Sequence, residues 1–294
     1  MPRPTKSQAA AEAAERFRER REELALFAES PRPRLENPIR LISDDVLAMF
    51  DIHQPFVDAD FCSRAVSLAK AWHIENCILG GDLFDMSVFS KFGANPQETL
   101  EEELSIVEAF LEVLCRSFVR VLFLLGNHEL RLLGKMLNRQ LSVSRFIRLF
   151  TPQGVENFYA TNFEWIEMES QASGIWLFAH PANSSVIAGR VPSIIAGRSA
   201  QGKHVVSGHG HLAAILRNDA GTHWVIDSGC CADPRRIEYS TVRKSNRPVM
   251  VEGCVLIKSG FPTLAMPSSD WLALQRMYED VPACQSELIM ASAS

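Results

Sequence analysis

The sequence has no C-x-x-C pair, although it contains seven cysteines in 294 residues. Paired cysteines at that spacing are typical of structural zinc sites, and an even, regularly spaced set is typical of disulfide-rich secreted domains. Neither kind of site is expected here, and a reducing compartment fits the cysteine usage better. The cysteines are Cys62, Cys77, Cys115, Cys230, Cys231, Cys254 and Cys284.

Long apolar runs and a strong charge excess are also missing. A membrane-spanning helix needs about 20 consecutive apolar residues, and no such run occurs. The first residues lack the apolar segment of a secretory signal. A net charge of −5 gives no overall indication of nucleic acid or an anionic membrane as partner. We therefore expect a cytoplasmic protein that does not associate with membranes.

The chain does contain enough apolar residues, 47%, to bury a full core. Its first part differs in composition and predicts a charged helix from residue 7 to 27, which prolines at 31 and 33 end. That helix is either a loosely docked arm or a partner-binding or oligomerising element. The predicted organisation is an arm over 1–40, a catalytic domain over 41–267, and a short helix with a flexible tail over 268–294.

Strand and helix patterns alternate through the first half of the main domain. Apolar runs over 46–52, 74–79 and 119–125 predict buried strands. Asp58 is the predicted N-cap of the first intervening helix. Asn95, Pro96 and Glu98 predict the start of the second. This βαβαβ order requires crossover connections and a largely parallel sheet.

The second half has strand patterns with few helices between them. They lie over 163–168, 175–179, 204–207, 212–217, 222–226 and 249–258, and a short helix is predicted over 271–278. A second sheet packed on the first is the simplest arrangement, so we predict an α/β fold built as a two-sheet sandwich.

Polar side chains follow the predicted strands at the points where the strands end. Taken singly, each cluster has an ordinary structural explanation, such as a turn or a glycine-rich loop. Taken together they hold five of the eight histidines. Ligands bind at the carboxyl ends of parallel strands, so the clusters are expected to converge there. They are Asp51 with His53, Asp82 with Asp85, Asn127 with His128 and Glu129, His180, and His209 with His211.

The ordered pattern D-x-H, G-D-x-x-D, G-N-H-E, H and G-H-x-H resembles the calcineurin-like metallophosphoesterase superfamily, most of all its small bacterial and phage-type members. The resemblance spans Asp51 to His211 and fills every position of the signature. It implies a metal-dependent phosphoric ester hydrolase. The metal ligands that it implies are Asp51, His53 and His211 for one ion, Asn127, His180 and His209 for another, and Asp82 as the bridge.

Such a mixture of carboxylate, imidazole and amide ligands suits two divalent ions, with manganese expected first and iron, zinc or nickel as alternatives. The resemblance also implies that His128 faces the leaving group as an acid or a charge stabiliser. Asp85 would orient the ring of His128, and Glu129 would lie outside the first layer of ligands. Two adjacent ions can bind phosphate oxygens and lower the pKa of a bridging water.

Two departures from the superfamily's pattern bear on the expectation, the first against a phosphoprotein phosphatase and the second on the conformation of the loop after His180. Its protein serine/threonine phosphatases carry G-D-x-x-D-R-G, whereas Asp85 is followed here by Met86 and Ser87. Pro181 follows His180 where glycine is more usual. The leading hypothesis is hydrolysis of a phosphodiester in a nucleotide, a cyclic nucleotide or a nucleic acid. The alternatives are a phosphomonoesterase acting on a small metabolite and a non-catalytic scaffold.

Basic residues follow the G-N-H-E cluster and recur later in the chain. Arg131, Lys135 and Arg139 are four apart, which predicts one face of a helix with Arg131 nearest the reacting phosphate. These runs are either solvated surfaces or a surface that guides a nucleic acid to the metals. The others are Arg145 and Arg148, then Arg235, Arg236, Arg243, Lys244 and Arg247. The sequence leaves the oligomeric state open.

Overall fold

A computed structural model of the chain describes residue 15 and residues 38–86, 99–136, 141–237 and 250–290. The chain divides into two units, Met1–Arg34 and Leu35–Ser294. The helix predicted from residue 7 to 27 lies outside the described residues apart from Glu15. In the second unit, strand β1 (Ile39–Ile42) belongs to a sheet, so the boundary predicted at residue 40 falls inside a strand.

Four parallel strands form most of a six-stranded sheet. Helices α1 (Ala59–Ala71) and α2 (Leu100–Ser117) cross over between the first three of them, which confirms the predicted βαβαβ order. Two later strands extend the sheet with antiparallel pairing. The strand order is β12 (Phe261–Ala265), β11 (Cys254–Lys258), β2 (Val46–Met49), β3 (Asn76–Leu79), β4 (Arg120–Leu124) and β5 (Phe158–Thr161).

The two crossover helices differ in how well their starts are predicted. Asp58 caps α1 and accepts a hydrogen bond from the Phe61 N–H at 2.8 Å, as predicted. Helix α2 instead starts at the N-cap Thr99, which forms a capping box with Glu102. The predicted start at residues 95–98 lies outside the described residues, and Thr99, with extended backbone, supplies the capping chemistry of the described helix.

The second sheet has seven strands and mixed pairing. It is β13 (Glu287–Met290), β1, β6 (Trp165–Ser170), β7 (Gly174–Ala179), β8 (His204–Ser207), β10 (Trp224–Ser228) and β9 (Ala213–Arg217) in that order. The shorter helical segments are α3 (Asn127–Arg131), a π-helix (Leu132–Met136), α4 (Val143–Arg148), α5 (Arg190–Arg198) and α6 (Trp271–Met277). Among the residues that the structure describes, no helix is both long and apolar enough to cross a membrane.

Side chains of β2 show how the sheets pack. Leu47 and Met49 belong to the core that lies against α1 and α2, whereas Val46 and Ala48 belong to the core between the sheets. Alternate residues of a strand point to opposite faces, so both faces of this sheet are buried. A smaller core joins the second sheet to α5 through Ala196. The two-sheet α/β sandwich predicted from the sequence is confirmed.

The C-terminal part of the chain is integrated into the fold up to residue 290. Strand β13 pairs antiparallel with β1. Lys258 is fully buried. Its Nζ lies 2.7 Å from Asp45 Oδ2 and donates to the carbonyl of Pro282 at 2.9 Å. The short helix predicted over 271–278 is present as Trp271–Met277, but the tail that was predicted to be flexible after it includes the paired strand β13. No local pattern predicts this strand, because its partner lies about 250 residues earlier.

Candidate metal centre

The polar clusters at the strand ends converge as the sequence predicts. Asp51, Asp82 and Asn127 follow the parallel strands β2, β3 and β4, at their carboxyl ends. His180 and His209 follow β7 and β8, which are parallel neighbours in the other sheet. The two sheets thus supply side chains to one place, which is where ligands bind in parallel α/β sheets.

One group of metal-binding side chains is formed by Asp51, His53 and His211, whose ligand atoms all lie within 4.8 Å of one another. Nε2 of His211 lies 3.0 Å from Asp51 Oδ1 and 3.1 Å from His53 Nε2. Asp51 and His53 have no exposed surface. Three ligand-type groups that converge away from solvent are suited to a cation rather than to ordinary surface charge.

A second group is formed by Asp82, His180 and His209. Nε2 of His180 lies 3.2 Å from Asp82 Oδ2. The backbone N–H of His209 donates to Asp51 Oδ2 at 2.8 Å and so ties the two groups together. Asp82 is also within 4.8 Å of ligand atoms of His53 and His128. Asp82 therefore lies between the groups, at the position from which one carboxylate could contact two ions.

The backbone at these ligands is strained. Left-handed φ angles cost non-glycine residues of order 1 kcal/mol or more, and they concentrate at functional sites. Each strained residue turns its side chain inward immediately after a strand. The strained ligands and their φ angles are Asp51 (52°), His53 (48°), Asp82 (49°), His209 (70°) and His211 (50°).

Glycines of the motifs let the loops approach closely. A Cβ at Gly126 would lie 2.2 Å from the backbone nitrogen of Asp82. A Cβ at Gly81, where φ is +104°, would lie 2.4 Å from Nδ1 of His180. Real Cβ atoms do not approach other atoms so closely, so only glycine permits these loops to meet.

The amide of Asn127 adds a further ligand-type side chain to the second group. Its oxygen lies 3.2 Å from His180 Nε2, and the same terminal position is 3.2 Å from Asp82 Oδ2 and 2.6 Å from His209 Nδ1. An amide oxygen directed at ligand-type nitrogen and oxygen atoms is stable if a cation lies among them. With the amide turned, the nitrogen would donate to them instead. The donor set therefore fits a divalent ion.

Opposite charges outweigh burial in setting the pKa of Asp51 and of His180. Burial raises the pKa of Asp51, but nearby His211 and His180 hold it well below its usual range. Burial lowers the pKa of His180, yet the carboxylates of Asp82 and Asp51 raise it to about 9. A metal ligand must be deprotonated, so metal binding at His180 displaces a proton and weakens as pH falls.

His128 and Asp85 are arranged differently from the expectation. Nδ1 of His128 lies 2.5 Å from the backbone carbonyl of Asp85. The Asp85 carboxylate lies instead 3.1 Å from Nδ1 of His53. The carbonyl and side chain of one residue point in different directions, so Asp85 contacts two histidines with two groups. The sequence could not show which group faces which ring.

Two buried glutamates support the loops of the site. Glu129 accepts hydrogen bonds from the N–H groups of Phe84 at 3.0 Å and Gly126 at 2.7 Å, so it joins two ligand-bearing loops. Burial raises the pKa of Glu129 to about 7. Glu103 accepts from the Met86 N–H at 2.8 Å. The sequence analysis missed Glu103, although its spacing from Val107 places it on the buried stripe of α2.

The basic residues after the G-N-H-E cluster are only partly described. Helix α3 ends at Arg131 and a π-helix follows, so the regular α-helix predicted over this stretch is interrupted. Arg139 and residues 243–247 lie outside the described residues.

Other predicted basic residues are described individually. Arg145 and Arg148 are exposed on α4. Arg235 pairs with the carboxylate of Asp233 at 2.9 Å. Arg236 lies 5.9 Å from the centre of the Phe56 ring. Of these four, Arg145 and Arg148 are therefore the ones best placed to meet a polyanion.

Comparisons with known proteins give fold-level similarity only. No family model and no curated sequence matches the chain. A phosphoesterase from E. coli, Yfce, is 13% identical over 76% of this chain and 98% of its own, with a TM-score of 0.37. Vacuolar Protein Sorting 29 from Cryptosporidium parvum is 14% identical over 76% and 97%, with a TM-score of 0.38. The nuclease MPE from Pseudomonas putida is 12% identical over 75% and 87%, with a TM-score of 0.31. Similarity of this degree does not assign a function.

Proposed function

We propose that the chain is a metal-dependent phosphoesterase that hydrolyses a phosphodiester. The observation that carries the proposal is the pair of adjoining ligand groups, Asp51–His53–His211 and Asp82–His180–His209. Each group combines carboxylate and imidazole, and Asp82 lies between them. Phosphoester hydrolases use two neighbouring divalent ions held by this kind of ligand set.

Under this proposal, one ion is held by Asp51, His53 and His211, and the other by Asn127, His180 and His209. Asp82 would be a ligand of both. When bound, such ions neutralise charge on phosphate oxygens and lower the pKa of a water molecule. The terminal amide of Asn127 lies 3.2 Å from His180 Nε2.

His128 is proposed to protonate the leaving group. Its Nδ1 is engaged by the Asp85 carbonyl, so Nε2 is the nitrogen directed into the site, 3.8 Å from Asp82 Oδ2. A proton on Nε2 can then pass to the departing oxygen. Asp85 keeps the ring in this orientation through its carbonyl, and it holds His53 through its carboxylate.

Arg131 is proposed to bind the substrate phosphate. Its Nη2 lies 3.2 Å from the terminal atom of the Asn127 amide that faces away from Asp82 and His180. The guanidinium therefore lies beside the second ligand group. The side chain is exposed and can reach a bound ligand. A planar guanidinium contacts phosphate through two parallel hydrogen bonds. Arg145 and Arg148 extend positive charge over α4, which supports a nucleic acid as the diester substrate.

Hydrolysis of bis(4-nitrophenyl) phosphate and of 4-nitrophenyl phosphate, each with added manganese, tests this proposal. The diester should be turned over faster, and chelation should abolish turnover. His211→Ala should lose both activity and metal, whereas the matched control His223→Ala, outside the ligand groups, should lose neither. Faster hydrolysis of the monoester would favour the phosphomonoesterase alternative. Manganese binding without turnover of either substrate would favour a scaffold.

A further inference from the structure

Glu103 is a buried acid whose carboxylate contacts the loop that carries Asp82 and Asp85. It lies in the first turn of α2, and only 2% of its surface is exposed. Its neighbours on the buried face are Val107, Leu111 and Leu114, which pack in the hydrophobic core. A carboxylate is a costly residue at such a position unless it is hydrogen-bonded. Its acceptor oxygen Oε1 receives the Met86 N–H at 2.8 Å.

Met86 belongs to the turn that carries Asp85. Its φ is 54°, a left-handed conformation that is unfavourable for methionine. The N–H of the preceding Asp85 donates to the Gln54 carbonyl at 3.1 Å. The Asp85–Met86 turn is therefore held on one side by the loop after β2 and on the other by α2. A strained turn persists only when its surroundings hold it in place.

Both groups of Asp85 act on histidines of the proposed active site. The carbonyl lies 2.5 Å from His128 Nδ1 and the carboxylate 3.1 Å from His53 Nδ1. A small rotation of the turn would move both contacts at once. Glu103 touches neither histidine, so any effect that it has on them passes through the turn.

We propose that Glu103 is a positioning residue, which fixes the Asp85–Met86 turn so that Asp85 orients His128 and His53 together. This inference rests on the proposed function for its kinetic consequence, but not for its structural one. Loss of the acceptor should misdirect His128 more than it disturbs most of the ligands, because only Asp82 shares the loop of Asp85 and only His53 contacts the Asp85 carboxylate, whereas the other metal-binding side chains come from other loops.

The test compares three substitutions of Glu103. Glu103→Gln keeps an oxygen that can accept the Met86 N–H. Glu103→Asp keeps a carboxylate but shortens its reach, and Glu103→Leu removes the acceptor while filling the space. Glu101→Leu, at an exposed position in the same helical turn, is the matched control. Turnover is measured on two diesters, methyl 4-nitrophenyl phosphate and methyl phenyl phosphate, which differ in leaving group.

Turnover of the phenyl diester should fall about 10- to 100-fold in the Leu and Asp variants, as is usual when a residue supporting a site is lost. Turnover of the nitrophenyl diester should fall far less, since its leaving group needs little protonation. Glu103→Gln and Glu101→Leu should resemble the wild type. In a His128→Ala background, Glu103→Leu should add no further dependence on the leaving group, because coupled residues are not additive.

The ¹⁵N resonances of the His128 ring report the positioning directly. They should shift in the Asp and Leu variants and remain unchanged in Glu103→Gln. A wild-type protein that hydrolyses neither diester would refute the proposed function, and the His128 resonances would still decide the role of Glu103. Equal losses for both leaving groups, or unshifted resonances in the Asp variant, would overturn the inference. If Glu103→Leu does not fold, the turnover and the His128 resonances of Glu103→Asp still test the inference.

Discussion

Replacing His128 by alanine should separate metal binding from proton transfer. The backbone N–H of His128 donates to Asp82 Oδ1 at 2.9 Å, and alanine keeps that hydrogen bond. The ring itself contacts the Asp85 carbonyl and stands edge-on to His53, with ring centres 4.9 Å apart. None of the seven proposed ligands is removed. We therefore expect His128→Ala to fold and to bind metal like the wild type.

The expected loss is in turnover. A positioned general acid contributes roughly 10² to 10⁴-fold, which corresponds to about 2.7 to 5.4 kcal/mol in the activation free energy. The full loss should be seen only with a leaving group that needs protonation. Burial lowers the pKa of His128 below its usual value. The protonated ring is therefore lost as pH rises through this lowered pKa. The rate enhancement that His128 provides should therefore decline as pH rises.

Steady-state turnover of the methyl phenyl and methyl 4-nitrophenyl diesters, measured across pH with saturating manganese, checks this prediction. Metal content by elemental analysis is the control. The variant should lose the most with the phenyl diester at low pH, and its rates should converge on those of the wild type as pH rises. Equal loss of turnover with both diesters, or loss of metal from the variant, would show that His128 is not the general acid.

The remaining predictions concern metal, stability and substrate. Asp82→Ala should lose both ions, because its carboxylate lies between the two ligand groups; full metal content by elemental analysis would contradict this. Lys258→Met should lower the free energy of unfolding by about 3 to 5 kcal/mol, because it leaves the buried carboxylate of Asp45 without its cation. Urea unfolding would measure this loss, and a change below about 1 kcal/mol would contradict the prediction. Burial raises the pKa of Asp227 to about 6, so the folded state binds the extra proton. Its contribution to stability is therefore present at low pH and is lost as pH rises from about 4 to 6. The Asp227→Asn variant should lack that decline in unfolding curves taken at each pH, and an unaltered slope would refute the assignment. Replacing the two exposed arginines of α4 by glutamine should flatten the salt dependence of oligonucleotide binding, each lost phosphate contact removing roughly 0.7 to 0.9 from the log–log slope. Hydrolysis of a small diester should not change, and equal impairment of both substrates would argue against a nucleic-acid surface.

The sequence predicts the elements that depend on local periodicity. Runs of apolar residues located β2, β3 and β4 to within a few residues, and Asp58 identified the start of α1. The polar residues after these strands indicated a shared site because parallel strands carry their ends to one edge. The resemblance to the metallophosphoesterase superfamily then implied seven of them as ligands, and the structure brings these seven together, although their binding of metal stays a prediction.

Only the tertiary structure decides features that depend on distant partners. Strands β1 and β13 are short and have no strong local pattern, and they form because they pair with each other and β1 also pairs with β6. The left-handed backbone at the ligands is imposed by surrounding contacts against its intrinsic preference. The Asp85 carbonyl contacts His128 and its carboxylate contacts His53, whereas Glu103 accepts from the Met86 N–H. These contacts depend on the directions of groups in space. Residue types and spacing therefore determined which groups could form the site, and the packing of two sheets and α2 determined which atoms meet.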